Sequence, residues 1–217
     1  MNHAPFTPAQ VRPIRDAMTI SRPAKLGAEV PVTWFSLGAG TSITPEYYDC
    51  TTLYLGGEGR GEFLLGEDGH TVPLFPGQIL AVPPKMLCGC QTDSGMIYTE
   101  VILKKENFTM NSILKAGQPT ALKDLISYEE GSIANLDIAH ADNMKFVLMA
   151  FDEGTGLTPH RAPGNAILTA LEGKAIIGYE GKDYELNAGE SFRFDKNGLH
   201  SVTAQGRFKM SLLLVIE

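Results

Sequence analysis

From Val30 onward, apolar and polar residues alternate in short runs rather than at helical spacing. VPVTWFSL, starting at Val30, is β-branched and aromatic, and Gly38-Ala39-Gly40 stops it. TTLYLGG and GEFLLG follow, with Glu58-Gly59-Arg60-Gly61 between them. Asp68-Gly69 supplies the positive φ of a hairpin turn and places His70 in solvent. TVPLF, GQILAVPP and MIYTEVILKK complete a first series. A second series runs through SIANLDIA, MKFVLMAFDEG, AILTALEG, AIIGYEG, KDYELNAG, ESFRFD and FKMSLLLVIE, with Asp142-Asn143 as its first turn. Turn signals recur about every eight to twelve residues, the spacing of an all-β sandwich or barrel.

Two stretches break the pattern. Residues 1 to 20 form an arm punctuated by Pro5, Pro8 and Pro13, with Phe6, Val11, Ile14 and Met18 to pack on a neighbour. Residues 105 to 130 are more polar and less alternating. They read as a connector with a helical turn near Leu122–Ile126 and an edge strand that crosses to the other unit.

The two series repeat one another. FSLGAGTS aligns with FDEGTGLT, TLYLGGEGRGEF with TALEGKAIIGY, PLFPGQILAVPP with ELNAGESFRFDK, and IYTEVIL with KMSLLLV. This places Gly38 opposite Gly154, Gly57 opposite Gly173 and Gly77 opposite Gly189, with four extra residues at the first copy's EDGH hairpin. The expected organisation is two tandem barrels, residues 1–107 and 108–217.

Gly154, His160 and Gly173 match the spacing G-x5-H-x-H-x3,4-E-x6-G, and Gly189 and His200 match G-x5-P-x-G-x2-H-x3-N. With these motifs the chain resembles the cupin superfamily, in its two-domain bicupin form, and HRAPGNAILTALEG resembles small bacterial cupins of unassigned reaction. The resemblance implies a jelly-roll, or double-stranded β-helix, barrel for each half. It also implies which positions carry metal ligands. The C-terminal half keeps His160 and His200 but has Ala162 and Ala166 for the second histidine and the glutamate, and Asp195, Asn197 and Ala204 elsewhere in the second motif. In the N-terminal half the corresponding residues are Thr44, Glu46, Cys50 and Cys88.

A divalent iron, manganese, nickel or zinc ion normally takes three or four protein ligands, and His160 with His200 supplies two. The alternative is a histidine pair facing a pocket, held by side chains or water, with His200 able to act as general acid or base. Cys50 and Cys88 beside Glu46 offer thiolates for zinc or copper, or are simply buried small hydrophobes. Cys88 and Cys90 point to one face of a strand, which disfavours a disulfide between them. Tyr47-Tyr48-Asp49 lines the mouth of the first barrel or packs at its rim, and Trp34 belongs to the core. Arg193 alternates with Phe192 and Phe194. Turned inward it suggests an anionic ligand, and turned outward it is solvated.

Composition narrows the partners. A formal net charge of −7 without a basic stripe argues against nucleic acid, and no Lys/Arg run serves a membrane surface. No apolar run approaches the ~20 residues of a span. Three cysteines without a secretion signal fit a reducing cytoplasm. The expected function is a small-molecule-binding bicupin with its pocket in the C-terminal barrel around His160, His200 and Arg193, the N-terminal barrel being mainly structural. The rival readings are a metal-dependent dioxygenase or isomerase of a small polar compound, and a ligand-sensing regulatory module. A homodimer is compatible with either.

Overall fold

The structure is a computed structural model and describes residues 3–104 and 108–216. Strands dominate, as the alternation requires. The chain divides into two units, one of residues 8–104 and 112–121, the other of residues 3–7, 108–111 and 122–216. The boundary expected at 107/108 adjoins residues 105–107, which lie outside the described residues. Among the described residues no helix is long and apolar enough to cross a membrane.

In the first unit a six-stranded sheet runs in the order Thr19–Pro23, Val32–Leu37, Met96–Leu103, Thr51–Gly59, Gln78–Val82, Thr120–Ala121. A four-stranded sheet holds Thr41–Tyr47, Leu87–Thr92, Gly61–Leu65 and His70–Leu74. The second unit repeats the plan. Its larger sheet runs Thr109–Met110, Ile133–Ala141, Met144–Phe151, Phe208–Val215, Asn165–Glu172, Ser191–Phe194, and its smaller sheet Gly156–Arg161, Leu199–Ala204, Lys174–Tyr179, Lys182–Asn187. Side chains alternate along each strand, so one face of each sheet turns inward and the two inner faces share a core.

The ends of the pattern behave as short, Pro-limited pieces. Pro8–Val11 forms a single helical turn, and Phe6 bridges Ser191 in the second unit. Within the connector, Thr109–Met110 pairs with Ile133–Ala141, Thr120–Ala121 pairs with Gln78–Val82, and Leu122–Asp124 forms a 3₁₀ turn.

The ladders correct the repeat. Glu46 pairs with Cys88 as His160 pairs with His200, and each strand carries a register shift just before this pair. Gly40 and Gly154 are both at positive φ, as are Gly59 and Gly173. Thr52 pairs with Val82 as Ala166 pairs with Phe194. The true counterparts are therefore Gly40 with Gly154, Glu46 with His160, Tyr48 with Ala162, Thr52 with Ala166, and Gly59 with Gly173. The expected pairings of Gly38 and Gly57 were displaced by two residues. The first copy's hairpin also has two extra residues rather than four: Leu65 pairs with His70, whereas Tyr179 pairs with Lys182.

Candidate functional site

In the second unit, antiparallel pairing of Gly156–Arg161 with Leu199–Ala204 brings His160 and His200 together, ring centroids 4.2 Å apart. His160 is exposed and His200 is 6% exposed. Each ring is anchored through Nδ1, to the Thr158 carbonyl at 2.8 Å and the Gly198 carbonyl at 2.9 Å. A carbonyl only accepts, so Nδ1–H donates in both, and Nε2 carries the lone pair when a ring is neutral. Burial lowers the pKa of His200, and His160 beside it lowers it further, against the bond to Gly198. His200 also stacks on Phe194, centroids 4.2 Å apart.

Behind this pair the interior is filled. Phe151, Phe192, Phe194, Phe208, Tyr179 and Met210 are buried together. Phe192 and Phe194 point inward, so alternation turns Arg193 to the opposite face of its strand, where its Nε donates to Asp195 Oδ1 at 3.2 Å. The inward Arg193 expected of an anion pocket is thus corrected. Ala162 and Ala166 bring no donor to the two remaining motif positions. Among the described residues, no group of three or more His, Cys, Asp or Glu is placed to hold a metal ion. Two imidazoles do not fit the three- or four-ligand set of an iron, manganese, nickel or zinc centre.

The first unit is different. Its interior contains a cavity of about 40 Å³ lined by Thr44, Glu46, Tyr48 and Cys88 from the smaller sheet's side, and by Tyr54, Tyr98 and Glu100 from the larger sheet. Phe35, Phe63 and Cys90 complete most of the wall. That volume has room for a few waters or a small head group. Thr44 and Glu46 are exposed at the mouth, whereas Glu100 is 7% exposed at the base. Tyr48 donates to Glu100 Oε2 across 3.5 Å, a long bond. Tyr47 turns away to bond Glu67, so the tyrosine pair divides between rim and cavity.

Burial sets the chemistry of this site. It raises Glu100 to about 7, with Glu46 adding to the rise and the Tyr48 bond opposing it. Burial likewise pushes the Cys88 thiol up to about 11 and the Cys90 thiol up to about 12. Tyr48 is raised to about 12 by burial and then by Glu100. The thiols and phenols are therefore protonated at neutral pH and are poor metal ligands. Cys50 does not line the cavity. The motif position expected for it belongs to Thr52, which is fully buried and whose Oγ1 lacks a hydrogen-bond partner. Of the two readings of Cys50, Cys88 and Glu46, the thiolate site is not assembled, because Cys50 lies ahead of Thr51–Gly59 and off the cavity wall, and Cys88 is buried as the other reading has it.

Sequence reasoning missed Glu100, Tyr54 and Tyr98. The signal was a glutamate within the otherwise apolar MIYTEVIL, two residues from Tyr98 and so on the same face.

The comparisons agree with this architecture. A family profile described as "Cupin domain" matches residues 147–216. The Cupin 2 conserved barrel domain protein from Leptotrichia buccalis superposes with TM-score 0.85 at 23% identity, covering 99% of this chain and 98% of that one. Salicylate 1,2-dioxygenase from Pseudoaminobacter salicylatoxidans, solved as adducts with gentisate, superposes with TM-score 0.66 at 12% identity, covering 98% and 81%. No curated protein sequence matches the chain. Residues 147–216 thus match a cupin domain, and the whole chain has the fold of the cupin barrel proteins it superposes on.

Proposed function

We propose that this protein is a small-molecule-binding cupin whose binding site is the cavity of the N-terminal barrel. The observation that carries the reading is the pairing of an open mouth at Thr44 and Glu46 with an almost fully buried, weakly bonded carboxyl at Glu100. A buried polar group without good partners costs stability, and such groups persist where a ligand completes them. The expected C-terminal pocket finds less support, since aromatic side chains fill that interior. All three cysteines are free, in keeping with a reducing, cytoplasmic setting.

A dioxygenase-like reading draws on the salicylate 1,2-dioxygenase likeness, which at 12% identity carries the fold alone. It needs a third metal ligand beside His160 and His200, and neither motif position offers one.

A fragment library screened by ligand-observed NMR tests the proposal, with Thr44→Trp as the control. Thr44 is exposed at the mouth, so the large ring covers the opening while the fold is kept. Fragments should bind the wild type and lose binding in the variant at unchanged melting temperature. Equal binding to both proteins, or shifts confined to His160 and His200, contradicts it.

A further inference from the structure

The walls of the N-terminal cavity carry acids, phenols and aromatic rings and, among the described residues, no Lys, Arg or His. We propose that the cavity receives the ammonium head of a small primary amine, seated between Glu100, Glu46 and the Tyr54–Phe63–Tyr98 ring cluster. This rests on the cavity being the binding site and adds the class of its ligand.

Charge selects the head group. An anion entering past Glu46 meets a second carboxyl at Glu100, with no cation on the walls to offset either. A neutral head can donate a hydrogen bond to that carboxyl, but it brings no charge to set against the two acids. An ammonium brings three N–H donors and a charge, and the cavity offers carboxylate and hydroxyl acceptors on several sides. The rings favour the same choice. Tyr54 lies 4.8 Å from Phe63 and 5.7 Å from Tyr98, Phe63 lies 5.5 Å from Tyr98, and Phe35 stacks on Tyr98 at 5.1 Å. Aromatic walls attract a cation that has shed part of its water. Size excludes a bulky quaternary head: about 40 Å³ suits a primary ammonium whose chain leaves through the mouth.

The site couples binding to a proton. The titratable groups facing Glu100 are Tyr98 on its own strand, Tyr54 on Thr51–Gly59, Cys88 and Cys90 on Leu87–Thr92, Glu46 on Thr41–Tyr47, and Tyr48 just beyond it. Burial holds Cys88, Cys90, Tyr48, Tyr54 and Tyr98 protonated near neutral pH, whereas Glu100 titrates there. With its pKa at about 7, Glu100 is largely neutral in the empty cavity below that pH. An ammonium beside it favours the carboxylate, and the proton leaves to solvent. Affinity should therefore rise about tenfold from pH 6 to pH 8, as the ionised fraction of the free site goes from about a tenth to nine tenths.

Three probes of equal length separate the possibilities: n-butylammonium, butan-1-ol and butyrate, titrated calorimetrically at pH 6 and pH 8. Butylammonium should bind at least tenfold tighter than butanol at pH 8, and butyrate should not bind. Glu100→Gln keeps the shape and should lose at least tenfold in butylammonium affinity at pH 8, together with the pH dependence. Butanol or butyrate binding as well as butylammonium overturns the cation proposal while the small-molecule reading stands. So does a pH dependence that survives in Glu100→Gln. If library fragments enter the cavity and butylammonium does not, the cation proposal alone fails. If neither enters, both readings fail.

Discussion

The two barrels share one strand order, apart from the short edge strand that each adds to its larger sheet, and differ in what they put inside it. Aligned through their ladders, Val82 in the first stands where Phe194 stands in the second, Leu80 where Phe192, and Met96 where Phe208. Glu100 occupies the place of Leu212, and Cys88 that of His200. The C-terminal barrel keeps two of the motif histidines, His160 and His200, and fills the space behind them with phenylalanines. The N-terminal barrel has lost every motif histidine and kept a small polar hollow. Retention of a motif and retention of a cavity are thus separate properties of one backbone.

The sharpest way to break the comparison is to empty the filled barrel. Phe208→Ala removes a fully buried ring in contact with Phe151 and should cost about 3–5 kcal/mol by denaturant unfolding. A loss under about 1 kcal/mol means the C-terminal interior is looser than described. Neutralising the buried acid of the first barrel comes next. Glu100 has a folded pKa raised from 4.5 to about 7, so the folded state holds its proton more tightly than the unfolded state. Its contribution is favourable below pH 4.5 and is lost as pH rises to about 7, a swing of about 3 kcal/mol. Glu100→Gln should therefore become more stable relative to wild type across that window, and a flat difference between pH 4.5 and 7.5 refutes the buried acid.

The register itself is open to test at a somewhat smaller scale. Gly59 sits at φ +68 with the backbone of Gly95 against any added Cβ, whereas Gly57 has ordinary φ and looser surroundings. Gly59→Ala should cost about 2 kcal/mol more than Gly57→Ala in the same assay. The reverse order restores the pairing of Gly57 with Gly173. Arg193→Ala stands at the bottom of the scale. On the face opposite Phe192 and Phe194, with its side chain 16% exposed and bonded to Asp195, it should cost about 1 kcal/mol and leave ligand binding unchanged.

The all-β fold and its duplication were legible because a period of two and glycine-marked turns survive without any tertiary information. The repeat was misjudged by two residues because Gly38 and Gly40, and again Gly57 and Gly59, offer two candidates each. Only hydrogen-bonded pairing distinguishes them. Arg193 illustrates a similar limit: alternation states that it opposes Phe192 and Phe194 but not which face is inside, and the packing of two phenylalanines decides that. Glu100 lies outside both motifs, so the motif ligand positions do not include it. Its importance comes from burial, which no local pattern announces.

Binding in the N-terminal barrel, as proposed, is tested most directly by one NMR titration with n-butylammonium at pH 8 that follows the Glu100 carboxyl carbon and the His160 and His200 imidazole protons together. The expected result is a saturating shift at Glu100 with both imidazoles unmoved. Movement of His160 and His200 while Glu100 stays silent would place the site in the other barrel and contradict it.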